Sequence, residues 1–169
     1  MSGSENHKDY SHQPRRDSMF EAHVQDPYQQ RGKPPEPCAC PDCGAICHKG
    51  CWQWGEAAAD AQHLRCPACS RIHDHVPAGV LTIQGDFGVT HREEILRLVR
   101  HQEEKERAEH ALERIMDIEE GEDQLTIHFT GVHLPRGVGE ALKHAYQGEL
   151  TIHHNQRDGQ IRVSWQRAV

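Results

Sequence analysis

With 169 residues, a formal net charge of -7 and a mean hydropathy of -0.83, the chain has room for one ordinary domain or two small ones but a thin apolar supply. No stretch approaches the roughly 18 apolar residues of a membrane span, and the polar opening MSGSENHKDYSHQPRRDS lacks the apolar region of a secretory signal. A reducing, cytoplasmic setting is therefore expected, and the negative balance argues against binding nucleic acid through bulk electrostatics.

Residues 1–36 hold Pro, Ser, Gln, His and mixed charge around isolated apolar residues such as Met19, Phe20 and Val24. They read as a disordered arm that ends in the stiff RGKPPEP stretch, because proline fixes φ and disfavours helix before it. Residues 37–89 read as a zinc ribbon. Seven cysteines occur in the chain, five of them between Cys38 and Cys51. An odd count cannot pair fully within one chain, and disulfides are rare in reducing compartments.

Two Cys-x-x-Cys pairs stand out, Cys40/Cys43 in CPDCG and Cys66/Cys69 in CPACS, with 22 residues between them. Zinc takes four thiolates in a tetrahedron, and each such turn supplies two. A structural zinc on Cys40, Cys43, Cys66 and Cys69 is the expectation, with a redox dithiol as the competing reading of either pair. Cys38, Cys47 and Cys51, with His48 and His63 nearby, offer donors for a second metal or stand as spare thiols. Cys38, two residues from Cys40, is a competing ligand for that position. In CWQWG, Trp52 and Trp54 share a face if the chain is extended. They would either pack over the metal site or form a stacking platform for nucleic-acid bases. The alanine-rich EAAADAQHL between the pairs reads as a loop or short helix.

From Thr90 the character changes. Thr90 and Glu93 have capping-box spacing, Ile95, Leu98 and Val99 form a stripe, and RHQEEKERAEH is polar all round. A single connecting helix over 90–113, with Ala108, Ala111 and Leu112 resuming the apolar positions, is expected. Residues 114–169 read as a small α/β domain. Strands are expected around Met116/Ile118, Leu125/Ile127/Phe129, Leu150/Ile152 and Ile161/Val163/Trp165. A helix carries the stripe Val138, Ala141, Leu142, Ala145, with Pro135 in its first turn and Gly148 at its stop. Gly137 and Gly139 read as small residues permitting close packing. Counting the long helix, the order is α-β-β-α-β-β, and the two halves suggest a repeated unit. The expected fold class is α+β: a disordered arm, a treble-clef- or zinc-ribbon-like module, a long helix, and this small domain.

No catalytic constellation is visible. LPRGVGEAL lacks the lysine and strand frame of a phosphate loop, and neither Gly-x-Ser-x-Gly nor His-Glu-x-x-His occurs. A non-enzymatic protein without a small-molecule substrate is expected. Most of the fifteen histidines read as surface residues, His73-Asp74-His75 being the cluster to test. Local cations exist at Arg15-Arg16, at Arg31 with Lys33, and at Arg65 and Arg71 beside the second cysteine pair.

The frame CPDCGAICHKGCWQWG, CPACSRI, PAGVLTIQG and GVGEALKHAYQGELTIHH, preceded by DPY and KPPEP, is similar to an uncharacterised bacterial zinc-ribbon protein family over roughly residues 14–167. CPxCG, CPxC and the GEALKHAYQGEL step also resemble the N-terminal zinc-binding region of large-ribosomal-subunit export adaptors. The first resemblance implies noncysteine residues at the positions of Cys38, Cys47 and Cys51, which favours the Cys40, Cys43, Cys66, Cys69 set. The second implies contact with RNA or a ribosomal subunit, for which Arg65, Arg71, Trp52 and Trp54 are the candidate residues. The alternative is a protein-interaction adaptor with a structural zinc and an acidic docking surface.

Overall fold

The computed structural model describes residues 26–28 and 32–168, so most of the expected arm lies outside the described residues. Two sheets and four helices follow in the order β1 (Cys38–Ala39), β2 (Ile46–His48), β3 (Cys51–Gln53), β4 (Gln62–His63), α1 (Pro67–Asp74), β5 (Gly79–Gln84), α2 (Asp86–Thr90), α3 (Arg92–Glu109), β6 (Ile115–Glu120), β7 (Gln124–Phe129), α4 (His133–Tyr146), β8 (Glu149–His154) and β9 (Ile161–Gln166). The mixed α and β content agrees with the expected class.

The small sheet has the order β3-β2-β1-β4. Lys49 and Gly50, both at positive φ (51° and 77°), form the two-residue turn that joins β2 to β3. Such a turn matches strand twist, which is why a Lys-Gly step closes this hairpin. The alanine-rich linker is a loop leading to β4, which pairs parallel to β1.

The second sheet has the order β6-β7-β5-β9-β8. Its centre is β5, antiparallel to β7 and parallel to β9. Alternation places Leu81 and Ile83 of β5 on one face with Leu125, Ile127 and Phe129 of β7 and Ile161, Val163 and Trp165 of β9. Ile95 and Val99 of α3 and Leu134, Val138 and Leu142 of α4 cover that face. Thr82, Thr126, Ser164, Val80 and His128 lie on the other, polar face, partly exposed.

Several expectations change. Residues 79–84, assigned with the ribbon, form the middle strand of the large sheet, so residues 114–169 lack the strand that joins β7 to β9. Buried on its helix-facing side and paired on both edges, β5 needs partners that only the later strands supply. The connecting helix is broken: Thr90 closes α2, donating its hydroxyl to the Asp86 carbonyl at 2.9 Å, and forms no capping box. Helix α3 ends at Glu109, which frees Ala111 and Leu112 to pack on the small sheet instead of continuing a helical stripe. In α4 the buried line is Leu134, Val138, Gly139 and Leu142, while Ala145 is exposed.

The two α4 glycines separate cleanly. A Cβ at Gly139 would sit 2.8 Å from Val163 and 2.9 Å from Leu150, whereas one at Gly137 would meet nothing within 4 Å. Close approach of α4 to β8 and β9 therefore depends on Gly139 alone of the pair. Gly137→Ala should stabilise by about 0.5–1 kcal/mol, by relieving the helix of a glycine. Gly139→Ala should destabilise by about 1–3 kcal/mol through overpacking. Urea denaturation of the two variants measures both, and opposite signs are the expected outcome.

Candidate metal centre

The first cysteine pair sits in the turn between β1 and β2. The Cys40 N–H donates to the Ala45 carbonyl at 2.8 Å and the Gly44 N–H returns to the Cys40 carbonyl at 3.0 Å. Gly44, at φ 80°, takes the left-handed conformation this tight return needs. The second pair opens α1. Cys66 is the N-cap, Pro67 occupies the first helical turn, and the Cys69 N–H donates to Cys66 Sγ at 3.4 Å. A helix start leaves N–H groups without intrahelical partners, and here a sulfur accepts one of them.

The four sulfurs of Cys40, Cys43, Cys66 and Cys69 all lie within 4.8 Å of one another. Cys43 Sγ and Cys66 Sγ are 3.8 Å apart. A tetrahedron with metal–sulfur bonds of about 2.3 Å has sulfur–sulfur edges of about 3.8 Å, so the quartet suits a thiolate-bound metal. The Cys66 N–H adds a hydrogen bond to Cys40 Sγ at 3.3 Å. Cys40, Cys66 and Cys69 are buried and Cys43 is partly exposed.

A residue from the other sheet completes the surroundings. Arg114, at the entrance to β6, is 5% exposed. Its Nη1 donates to Cys69 Sγ at 3.2 Å, and its Nη2 lies 3.3 Å from both Cys43 Sγ and Cys66 Sγ. The Arg114 Nε donates to the Ala111 carbonyl at 2.9 Å, and its backbone N–H donates to Thr130 Oγ1 at 2.9 Å. Burial works against the guanidinium charge, but the contacts with Cys69, Cys66 and Cys43 outweigh it and raise its pKa above the usual arginine value. Burial likewise raises the Cys66 and Cys69 thiols. Burial also opposes ionisation of Cys40, yet N–H groups of Cys66, Cys43 and Asp42 bring that thiol down to about 7. Four thiolates around a divalent cation carry a net double negative charge, and Arg114 offsets half of it.

The remaining cysteines stay apart from the quartet. Cys38 and Cys47 face each other across β1 and β2, both buried, and Cys51 is exposed. Burial and the neighbouring Cys38 push the Cys47 thiol up to about 11. Among the described residues, no cluster gathers Cys38, Cys47, His48, Cys51 and His63 as a second metal site. Asp117, Glu119 and His128 do lie together on the polar face of the large sheet. There His128 Nδ1 lies within hydrogen-bond distance of Asp117 Oδ1.

Of the residues expected to contact RNA, Arg71 and Trp52 are buried, Trp54 is half-buried and Arg65 is exposed. Arg71 is 7% exposed, with Nη2 on Asp26 at 2.6 Å, Nη1 on the Val76 carbonyl at 3.2 Å, and its guanidinium 4.5 Å from the Tyr28 ring centre. A buried arginine needs such partners, so this part of the expected arm, Asp26 and Tyr28, is held against α1. Arg65 is exposed and paired with Asp42 at 2.6 Å. Trp52 is buried in the small-sheet core. The Trp54 ring is flanked by Arg107 and Arg114 at 5.3 and 5.6 Å, and its Nε1 donates to the Arg107 carbonyl at 2.7 Å. Trp52 thus packs the small-sheet core, and Trp54 fastens that sheet to α3 and Arg114. Asp74 of the His73-Asp74-His75 cluster accepts from Tyr28 Oη at 2.7 Å, and His75 forms the left-handed end of α1. His75 thus terminates α1, and His73 lies in its last turn.

Arg114 and Glu113 carry no signal in the sequence. The Glu113 carboxylate accepts from the His133 and Leu134 N–H groups at 3.4 and 3.1 Å, where α4 begins. Both residues follow a helix end whose position depends on tertiary packing. No protein-family model, curated protein or solved structure matches the chain. Among the described residues no helix is long and apolar enough to cross a membrane.

Proposed function

We propose that the chain is a non-enzymatic, zinc-binding adaptor in which the metal holds a small ribbon against a larger α/β unit that docks a protein partner. The tetrathiolate of Cys40, Cys43, Cys66 and Cys69, backed by Arg114, supports the structural metal. A site whose four protein donors fill a tetrahedron has no open position for substrate. The exposed run Asp117, Glu119, Glu120, Glu122 and Asp123, on edge strand β6 and its turn, supports an acidic docking surface. Pairing of Arg71 with Asp26 and of Arg65 with Asp42 favours the adaptor reading over the RNA or ribosome one.

Sedimentation with ribosomal subunits decides between the two. The adaptor reading expects absence from the subunit fractions at both low and physiological salt. It also expects nuclease-resistant capture of a protein partner, which lysine at Asp117, Glu119, Glu122 and Asp123 abolishes. Salt-sensitive co-sedimentation with subunits would replace it with the ribosome reading, since each neutralised phosphate adds about 0.7–0.9 to the log–log salt slope.

A further inference from the structure

The four sulfurs are not equivalent. Cys40, Cys66 and Cys69 are 2%, 0% and 7% exposed, whereas Cys43 is open to solvent in part. Cys43 Sγ lies 3.8 Å from Sγ of the fully buried Cys66. One nitrogen, Arg114 Nη2, donates across this edge to both sulfurs. The accessible thiolate therefore has a buried second thiolate beside it, and a single cation touches the pair.

We propose that the Cys43–Cys66 edge is an oxidation site for hydroperoxides, and that its closure to a disulfide releases the metal and unlatches the ribbon from the α/β unit at Arg114. The inference rests on the metal reading of the quartet. In the first step the Cys43 sulfur attacks one oxygen of hydrogen peroxide. An S–O bond forms, the O–O bond breaks, and hydroxide leaves. In the second step Cys66 attacks the Cys43 sulfur, an S–S bond forms, the S–O bond breaks, and a second hydroxide leaves. Two thiolates give up two electrons, the peroxide takes them, and protons from solvent convert both hydroxides to water. A disulfide spaces its sulfurs at about 2.05 Å, so closure needs an approach of about 2 Å from a starting separation already in contact. With two thiolates left, the divalent cation loses half its ligands.

Oxidation also removes two of the three thiolate acceptors that Arg114 contacts. The guanidinium, buried between the small sheet and the loop 111–114, is then left with Cys69 Sγ and the Ala111 carbonyl. A buried cation deprived of its anions favours any opening that returns it to water. Trp54, fastened to Arg107 and facing Arg114, sits on the same junction. Elsewhere in the ribbon, Cys38 and Cys47 form a buried pair that peroxide reaches poorly, and Cys51 is exposed.

The test uses the full chain carrying Cys51→Ser, which removes the exposed thiol. Metal content is measured first. A preparation without bound zinc would refute the metal reading itself, independently of what peroxide does. On zinc-loaded protein, hydrogen peroxide should release one equivalent into a chromophoric chelator, with a Cys43–Cys66 disulfide found by peptide mapping. Cleavage by a protease in the segment 109–114 should rise at least tenfold, and a dithiol reductant with added zinc should reverse all three changes. Zinc retained under peroxide would overturn the proposal. So would release accompanied by a Cys40–Cys43 or Cys38–Cys47 disulfide, or release without faster cleavage at 109–114.

Discussion

A single Cys→Ser substitution at Cys40, Cys43, Cys66 or Cys69 should remove stoichiometric zinc, while the same change at Cys38, Cys47 or Cys51 should leave it in place. The expected effect is large because apparent binding energies of structural zinc are about 10–16 kcal/mol and appear directly as folding energy of a small module. The small sheet has little else to hold it. Its strands are two or three residues long, and its core consists mainly of cysteines, alanines and two tryptophans. Metal analysis of the seven variants checks the ligand set, and full zinc in any of the first four would sink it. Hydrogen exchange extends the test to the rest of the chain. After chelation, residues 37–78 should lose protection, while Leu81, Leu125, Ile127 and Val163 keep it, because the large-sheet core contains no cysteine. Simultaneous loss at both would mean that the two sheets fold as one cooperative unit.

Legibility in the sequence followed the range of the interactions. The gathering of the four cysteines was readable because each pair is a local turn or helix start with its own chemistry, Gly44 after one and Pro67 inside the other. Strands β7, β8 and β9 were readable because one buried face imposes alternation on Leu125/Ile127/Phe129 and Ile161/Val163/Trp165. The membership of β5 was not readable. GVLTIQ alternates as well as its neighbours do, but its place between β7 and β9 is set by pairing with strands about 45 and 80 residues later. Thr90 misled because a capping box and a helix-ending hydroxyl use the same residue, and packing of Phe87 on Trp165 favoured the short α2. Arg71 misled in a different way. An arginine beside a Cys-x-x-Cys pair reads as an exposed cation, and only the fold shows Asp26 and Tyr28 closing over it.

Arg114→Ala should lower stability by about 3–5 kcal/mol in the zinc-loaded protein, the range expected when one partner of a buried ionic contact is removed and the other is left uncompensated. Here the uncompensated partner is a tetrathiolate centre with a net double negative charge, and three of its sulfurs lose a donor at 3.2–3.3 Å. Lysine is not an adequate substitute. Its ammonium is a single point charge, whereas the guanidinium fork spans Cys69 on one nitrogen and Cys43 with Cys66 on the other. Arg114→Lys should therefore recover part of the loss and not all of it. The discriminating measurement is a thermodynamic cycle in which denaturation of wild type and Arg114→Ala is followed with zinc and with chelator. If Arg114 acts through the metal centre, the destabilisation shrinks or changes sign without zinc, because protonated thiols no longer reward a buried cation and removing it relieves a desolvation cost. An equal loss in both states would show that the side chain matters only for packing against Ala111 and Trp54, and that the metal and the large sheet are not energetically coupled through it.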